Sequence, residues 1–456
     1  MQFAGQRTNL ELEPIGEPVN VMVRLAEDIL PDPDAVLITG ITPQATLQDG
    51  LTEVEFLQLF YDEIATADTI FVGYNTVRFD DEFMRCLNWR NFYDPYEWQW
   101  QNGRSRWDLL DVVRMTRALR PEGIKWPMTE DGKPTNRLEL LTKLNGLDHE
   151  HAHDALNDVL ASIAVAKLIR DKQPKLFEWL LSLRDKKKVA EVVEAGDPFV
   201  YSSGKYDQEH EKTTVVQRLT SHPTRAGALV YDLRHDPTPF LGLSADTLAE
   251  RWRFNRDVDA PPRLPVKTLQ YNRCPAVAPL GVMKGAPKHV IVPFDDITKH
   301  RSLLQANPDF VKNVLAAQKI LDKEQEERNN VPKPADSRLY DGFLDDHDRQ
   351  MLGVVRAAKP TDLAELEADL DDERLKELLP LYKARNFTKY LTDEERAAWE
   401  AHRSHRLMDG GTESLIAKYM HRLGELSETE AGKDKLYLLE ELQLYAESIM
   451  PLIDAD

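Results

Sequence analysis

Three short segments of the chain carry residue types that do chemistry. GYNTVRFDDEF (73–83) places Asp80 directly after an apolar run and at the start of a helical pattern. A carboxylate at such a point either holds a divalent cation or caps the helix by accepting its first free backbone N–H groups. HEHAHDALND (149–158) sets His153 ahead of a second helical pattern. Asp158 follows about a turn and a half later, so a loop imidazole and a helical carboxylate can converge. His149, His151 and His153 also have the spacing of a zinc cluster or of a solvated polar loop. No cysteine lies nearby, and the other candidates are carboxylates, whose hard oxygens suit Mg²⁺ or Mn²⁺ better than zinc. The third segment, NFYDPYEWQWQNGRSRWDLLDVVR (91–114), interleaves Tyr96, Trp98 and Trp100 with Arg104, Arg106 and Arg114. Single-stranded nucleic acid is held by such a mixture, rings stacking on bases while guanidinium groups grip phosphates. A hydrophobic core is the other common use of the same rings.

Elements that position these segments are legible around them. The first third alternates strands and helices, as an α/β sheet domain does. VNVMVRL (19–25) alternates like a strand, and TIFVGYN (69–75) is a short apolar run that fits a buried one. Thr52 and Glu55 form a capping box ahead of a helix with Phe56, Leu59, Phe60 and Ile64 on one face. Helices are expected over DDEFMRCL (80–87), LLDVVRMTRAL (109–119) and from Asp154 to Arg170. After the basic run RDKKK (184–188) the pattern shifts to short β segments, TTVVQRL (213–219), ALVYDL (228–233) and LPVKTLQYN (264–272), with Ser244 capping a short helix. A polar, Pro-containing linker is expected between about 320 and 337, followed by acidic helical text to the end.

Composition bounds the class. A chain of 456 residues, 42% hydrophobic and 30% charged, holds several globular domains at about 150 residues each. Two isolated cysteines, Cys86 and Cys274, suggest neither a disulfide framework nor a cysteine zinc site, and point to a reducing, cytoplasmic setting. No stretch approaches the ~18 apolar residues of a membrane span. A net charge of −20 excludes a protein that coats nucleic acid through a broadly positive surface, while leaving room for a local basic channel.

Taken together, N-x-x-x-F-D (75–80) and H-x-x-x-x-D (153–158) resemble the DEDD exonuclease superfamily, His subtype, as does LITGITPQ (37–44). GYNTVRFDDE, RNFYDPY, SRWDLLDV, ALRPEG and AHDALNDV are similar to bacterial exonuclease I, and so are PVKTLQYNRCP (265–275) and YKARNF (382–387), so that the resemblance covers the whole chain. It implies a ribonuclease H-like exonuclease domain over 1–174, an SH3-like β-barrel region over 175–330 and a C-terminal α-helical domain over 331–456, together enclosing DNA. The implied activity is 3′→5′ degradation of single-stranded DNA to 5′-mononucleotides by a monomer, through two Mg²⁺ ions, with Mn²⁺ as the alternative. By the same resemblance Asp80 and Asp158 hold metal, and His153 is the general base. Arg137 contacts phosphate, and Arg85, Tyr96, Trp100, Arg114 and Lys186 contact the strand. Arg120 and Trp179 receive the acidic C-terminal tail of single-stranded DNA-binding protein. The family also opens on a strand bearing D-x-E-T, which supplies two more metal carboxylates from the middle of the sheet. This sequence contains no such motif, and Glu11 and Glu13 are poor substitutes. The expectation is therefore a truncated chain, weakly active or inactive, whose alternative reading is a non-catalytic single-strand-binding or protein-binding factor.

Overall fold

The computed structural model describes residues 1–147, 154–253, 257, 261–329 and 333–451. Its N-terminal part carries two separate strand pairs. β1 (Gln2–Gly5) pairs antiparallel with β2 (Val19–Met22), and β3 (Ile70–Gly73) pairs parallel with β4 (Ser105–Asp108). The two pairs are joined through side chains. Phe60 meets Phe3 of β1 edge-on at 6.0 Å and stacks on Phe71 of β3 at 5.7 Å, while Arg7 donates to the Ile64 carbonyl and the Thr69 hydroxyl. The run 69–75 forms its strand but is not a buried one: Val72 is 44% exposed. A parallel strand is buried only when neighbours and helices cover it, and β3 has a single neighbour.

The helices of this part stand where the apolar periodicity places them. Thr52 and Glu55 exchange both bonds of the capping box before the helix Glu53–Leu59. Helix Asp80–Arg90 begins with three acidic residues at its positive end, and Leu109–Leu119 is capped by Asp108. Helix Ala155–Lys172 is capped by Asp154, whose side chain accepts from Leu156 and Asn157.

The central part is a five-stranded antiparallel sheet in the order β8-β7-β6-β5-β9, formed by Val266–Gln270, Gly227–Asp232, Thr213–Ser221, Phe199–Ser202 and Ala276–Pro279. Its inner strands are buried on both faces, with Val215, Val216 and Ala228 to Tyr231 fully enclosed. Helix Leu109–Leu119 lies against one region of the sheet, and Tyr231 meets Phe310 of helix Pro308–Asn329 at 6.1 Å. Two expectations are corrected here. The basic run 184–188 opens a helix, Lys186–Val193, because Asp185 caps it and Val189 and Val193 find a core. Helix Pro308–Asn329 runs through most of the expected 320–337 linker, since Phe310, Val314 and Ala317 anchor its first turns and its polar remainder extends them.

The remainder is helical and grips the N-terminal part at several points. Trp89 donates to the Ala335 carbonyl at 2.9 Å, and Phe92 packs on Tyr382 at 5.2 Å. Arg385, from helix Glu373–Asn386, forms bidentate bonds to both Asp28 and Asp336, with Arg406 at 3.1 Å from Asp336. Next to it Asn386 accepts from the Val54 N–H and donates to Asn91. The YKARNF segment is thus a stitch between the first and last parts of the chain.

Candidate active site

Asp80 and Asp81 are neighbours on one helix, and helical geometry sends their side chains about 100° apart. Asp81 turns inward and is ion-paired with Arg106, with Arg85 at 3.8 Å. Asp80 stands within the electrostatic reach of Asp108 and Asp158. Its carboxyl is pushed above the ordinary value by burial first, and then by the like charges of Asp108 and Asp158. That mutual repulsion marks a place where negative charge has been gathered and a cation would be welcome.

Each carboxylate rides on a different half of the divided sheet. Asp80 starts the helix after β3, and the connecting turn is held by Asp108 at the end of β4, whose oxygens accept from the Asn75, Val77 and Leu110 N–H groups at 2.9, 3.2 and 2.9 Å. Asn75 sits in that turn with a left-handed φ of 68°, a conformation that asparagine tolerates better than most residues. Asp158 lies in the first turn of helix Ala155–Lys172, whose start is fixed to β1: Gln2 donates to Asp154 at 3.2 Å and accepts from the Ala155 N–H at 3.4 Å. The role of Asp108 as the fastener of this turn was not singled out from the sequence. The signal was available, an Asp at a strand end directly before a helix.

His153 belongs to a stretch outside the described residues, as do His149 and His151. Arg137 precedes helix Leu138–Leu144, is 64% exposed and pairs with Glu139. Tyr74, just past β3, donates to the neighbouring Asn136 carbonyl and so brings Arg137 to the end of the strand that leads to Asp80. Arg114 pairs with Asp111 at 2.5 Å, and Lys186 is exposed at the start of its helix.

The aromatic and basic segment separates into two sets. Trp98 is core, 4% exposed and edge-on to Phe71, and Arg104 and Arg106 are buried on backbone carbonyls. Trp100 is 62% exposed, and Tyr96 lies half-buried with the Arg85 guanidinium 5.5 Å from its ring centre. Arg85 itself is buried and shared among Asp81, Glu82 and Gln99.

Arg120 and Trp179 both bond to the segment 277–284: Trp179 donates to the Val277 carbonyl at 2.9 Å, and Arg120 to those of Val282 and Lys284 at 3.0 and 3.1 Å. Trp179 also edges a groove of ≈ 690 Å³ lined by Phe199, Leu280, Phe294 and Arg301.

Comparison with known proteins decides the family. A model of exonucleases matches residues 1–166, one of the exonuclease I SH3-like domain matches 184–320, and one of the exonuclease I C-terminal domain matches 333–449. The chain belongs to the exonuclease I family. It is 38% identical to exodeoxyribonuclease I of Escherichia coli K12, over 98% of this chain and 94% of that one. With exodeoxyribonuclease I of Haemophilus influenzae it shares 37% identity, over 97% and 93%. Among solved structures, E. coli exonuclease I in complex with a dA16 oligonucleotide superposes with a TM-score of 0.91 at 38% identity, covering 98% of this chain and 95% of that one. A moderately thermophilic exonuclease I from Methylocaldum szegediense gives 0.89 at 41% identity, over 98% and 95%. A complex described as ExoI/SSB-Ct gives 0.88 at 38% identity, over 98% and 94%. The fold is accordingly the ribonuclease H-like exonuclease domain, the SH3-like domain and the helical C-terminal domain of exonuclease I, an enzyme family whose hydrolysis depends on divalent metal.

The described residues do not by themselves fit a two-ion site. Among them no group of three or more His, Cys, Asp or Glu side chains is arranged to hold a metal. Asp108 spends its oxygens on backbone N–H groups.

Proposed function

We propose that this chain is built for 3′→5′ hydrolysis of single-stranded DNA to 5′-mononucleotides in the cytoplasm, with Asp80 and Asp158 as metal carboxylates and His153 as the base that takes the proton of the attacking water. The reading is supported by the like charge of Asp158 acting on Asp80, the two residues being positioned from different strand pairs through Asp108 and Gln2. Mg²⁺ is the proposed ion, with Mn²⁺ able to replace it, and when bound it would activate water and stabilise the leaving oxygen. The described residues fall short of a full ion cage, so what this chain contributes is positioning. Trp100 and Tyr96 offer faces for bases, and Arg137, Arg114 and Lys186, with Arg85 behind Tyr96, offer charge to phosphates. Domain limits near residues 174 and 330 follow from the same reading.

Two partners are proposed on the relatives' behaviour. One is single-stranded DNA, since an E. coli relative was solved with a dA16 oligonucleotide. The other is the acidic C-terminal tail of single-stranded DNA-binding protein, set at Arg120 and Trp179; the groove beside Trp179 joins an apolar wall to Arg301.

The test is release of mononucleotides from 3′-labelled and 5′-labelled single strands with Mg²⁺, beside binding of the same strands without metal. Metal-dependent release from the 3′ end lost in Asp158→Asn supports the hydrolase. Strong binding with no release under any divalent ion would instead establish a non-catalytic single-strand-binding factor, a reading that agrees with the lack of a three-ligand metal cluster among the described residues.

A further inference from the structure

Arg117 is a buried arginine that the reading above does not use. It stands on helix Leu109–Leu119, which packs against β5, β6 and β9 of the SH3-like sheet. Its Nη1 donates to the Pro127 and Thr135 carbonyls at 2.9 and 2.6 Å, and its Nη2 meets the Met128 sulfur at 3.1 Å. Residues 127–135 form a short hairpin, closed by the antiparallel Met128–Pro134 bridge and by the Thr129 N–H on the Lys133 carbonyl. Arg117 therefore ties both ends of the hairpin together, and Arg137 follows two residues after the second end. The Nε of Arg117 pairs with Glu211 of the SH3-like domain at 2.8 Å. Its carbonyl and sulfur acceptors are neutral, so among the described residues Glu211 is what offsets the buried positive charge.

Glu211 reaches Arg117 from a strained turn between β5 and β6. Glu211 and Lys212 have left-handed φ values of 51° and 58°, two non-glycine residues in succession. A backbone with a Cβ keeps such a conformation only where its surroundings over-determine it. Here the Glu211 and Lys212 N–H groups donate to the Gln208 and Asp207 carbonyls, each at 3.0 Å. Gln208, in the same turn, donates to the Pro134 carbonyl. Tyr74, past the end of β3, donates to the Asn136 carbonyl. The three carbonyls ahead of Arg137, those of Pro134, Thr135 and Asn136, are thus each held by a side chain, and two of the three holds depend on the SH3-like domain. Arg137 itself stays open, with 64% of its side chain exposed. A long exposed side chain on a fixed base has less freedom to lose when it takes a ligand.

We propose that Arg117 and Glu211 are positioning residues for Arg137, so that the grip of this arginine on a phosphate is set by a salt bridge to the neighbouring domain. The proposal rests on the reading of Arg137 as a phosphate contact and adds to it the groups that aim it.

The experiment is fluorescence anisotropy of a labelled oligo-dT strand on the full chain in EDTA, across salt, with the melting temperature of each variant. Arg137→Ala, the reference, should weaken binding several-fold and lower the salt slope by about 0.7, the share of one phosphate on a single strand. Glu211→Gln should reproduce much of both changes in the unmodified chain and add no further loss once Arg137 is already alanine. Arg117→Lys keeps a charge beside Glu211 but not the fork that spans both carbonyls, so it should show the same dependence on Arg137 and carries the test if Glu211→Gln does not fold. Losses that multiply when either variant is combined with Arg137→Ala overturn the proposal. So does a lowered melting temperature with affinity and slope unchanged, which would leave the pair a stitch between domains. If Arg137→Ala binds as the unmodified chain does, the phosphate reading of Arg137 falls and the proposal with it. No binding of oligo-dT to the unmodified chain would overturn the single-strand reading and the proposal together.

Discussion

The two sheets of this molecule teach opposite lessons about what holds a strand in place. In the second domain five strands pair without interruption, and Val215, Val216 and Ala228 to Tyr231 are sealed from water on both faces. In the exonuclease domain two pairs stand side by side without hydrogen bonds between them, joined by Phe60, Arg7 and helix caps, and Val72 on β3 stays 44% exposed. The five-stranded sheet carries its own stability in its ladder. The divided one depends on braces, and both candidate metal carboxylates are hung from it.

The largest expected effect falls on the domain of the divided sheet. His153→Ala should lose about 10²–10⁴ of the Mg²⁺-dependent nucleotide release. An unchanged rate, measured by product chromatography, would take the proton-accepting role away from His153.

The braces come next. Asp28 is fully buried, and burial alone would raise its pKa, yet His402 at 3.6 Å with Arg385 and Arg406 hold it well below the usual carboxylate range. Arg385→Ala leaves two buried carboxylates short of their main partner and should cost about 3–5 kcal/mol, read by denaturant unfolding. Hydrogen exchange should loosen β1 to β3 and leave the five-stranded sheet protected. The sign of the pH effect follows from the lowered value. The pairing stabilises fully above the unfolded carboxylate's pKa of about 3.9 and is lost as pH falls below it toward the folded value. Acid should therefore uncouple the helical domain in wild type, and Arg385→Ala should show a flatter acid limb.

A direct contrast of the sheets is smaller. Leu229→Ala, in a site with no exposure, should cost about 2–5 kcal/mol of stability, and Val72→Thr should stay within about 0.5 kcal/mol. Similar melting shifts for the two would erase the distinction drawn between ladder and brace.

The smallest effect separates ring from ring. Trp100→Ala should weaken single-strand binding by about 1–3 kcal/mol with little change in melting temperature, and Trp98→Ala should cost about 3–5 kcal/mol of folding stability. A lowered melting temperature with unchanged affinity for Trp100→Ala would return that ring to a structural role.

Much of this was written locally. The helices 109–119 and 155–172, the Thr52–Glu55 box, the Ser244 cap and the strands at 213 and 228 follow from periodicity and capping chemistry, which operate over a few residues and so can be read without the fold. Motif spacing likewise singled out Asp80 and Asp158 and the family to which they belong. What a residue meets across the chain is another matter. That Trp98 is core and Trp100 open, though two apart, depends on Phe60 and Phe71 arriving beside one of them. That Arg106 is spent on Asp81 depends on β4 pairing with β3. The helix 308–329 persists through polar text because Tyr231 and its sheet receive Phe310. Local chemistry sets which elements form and which side chains are able to act. Burial and charge, which decide whether they do act, come from neighbours distant in sequence, and only the packed chain brings those neighbours within reach.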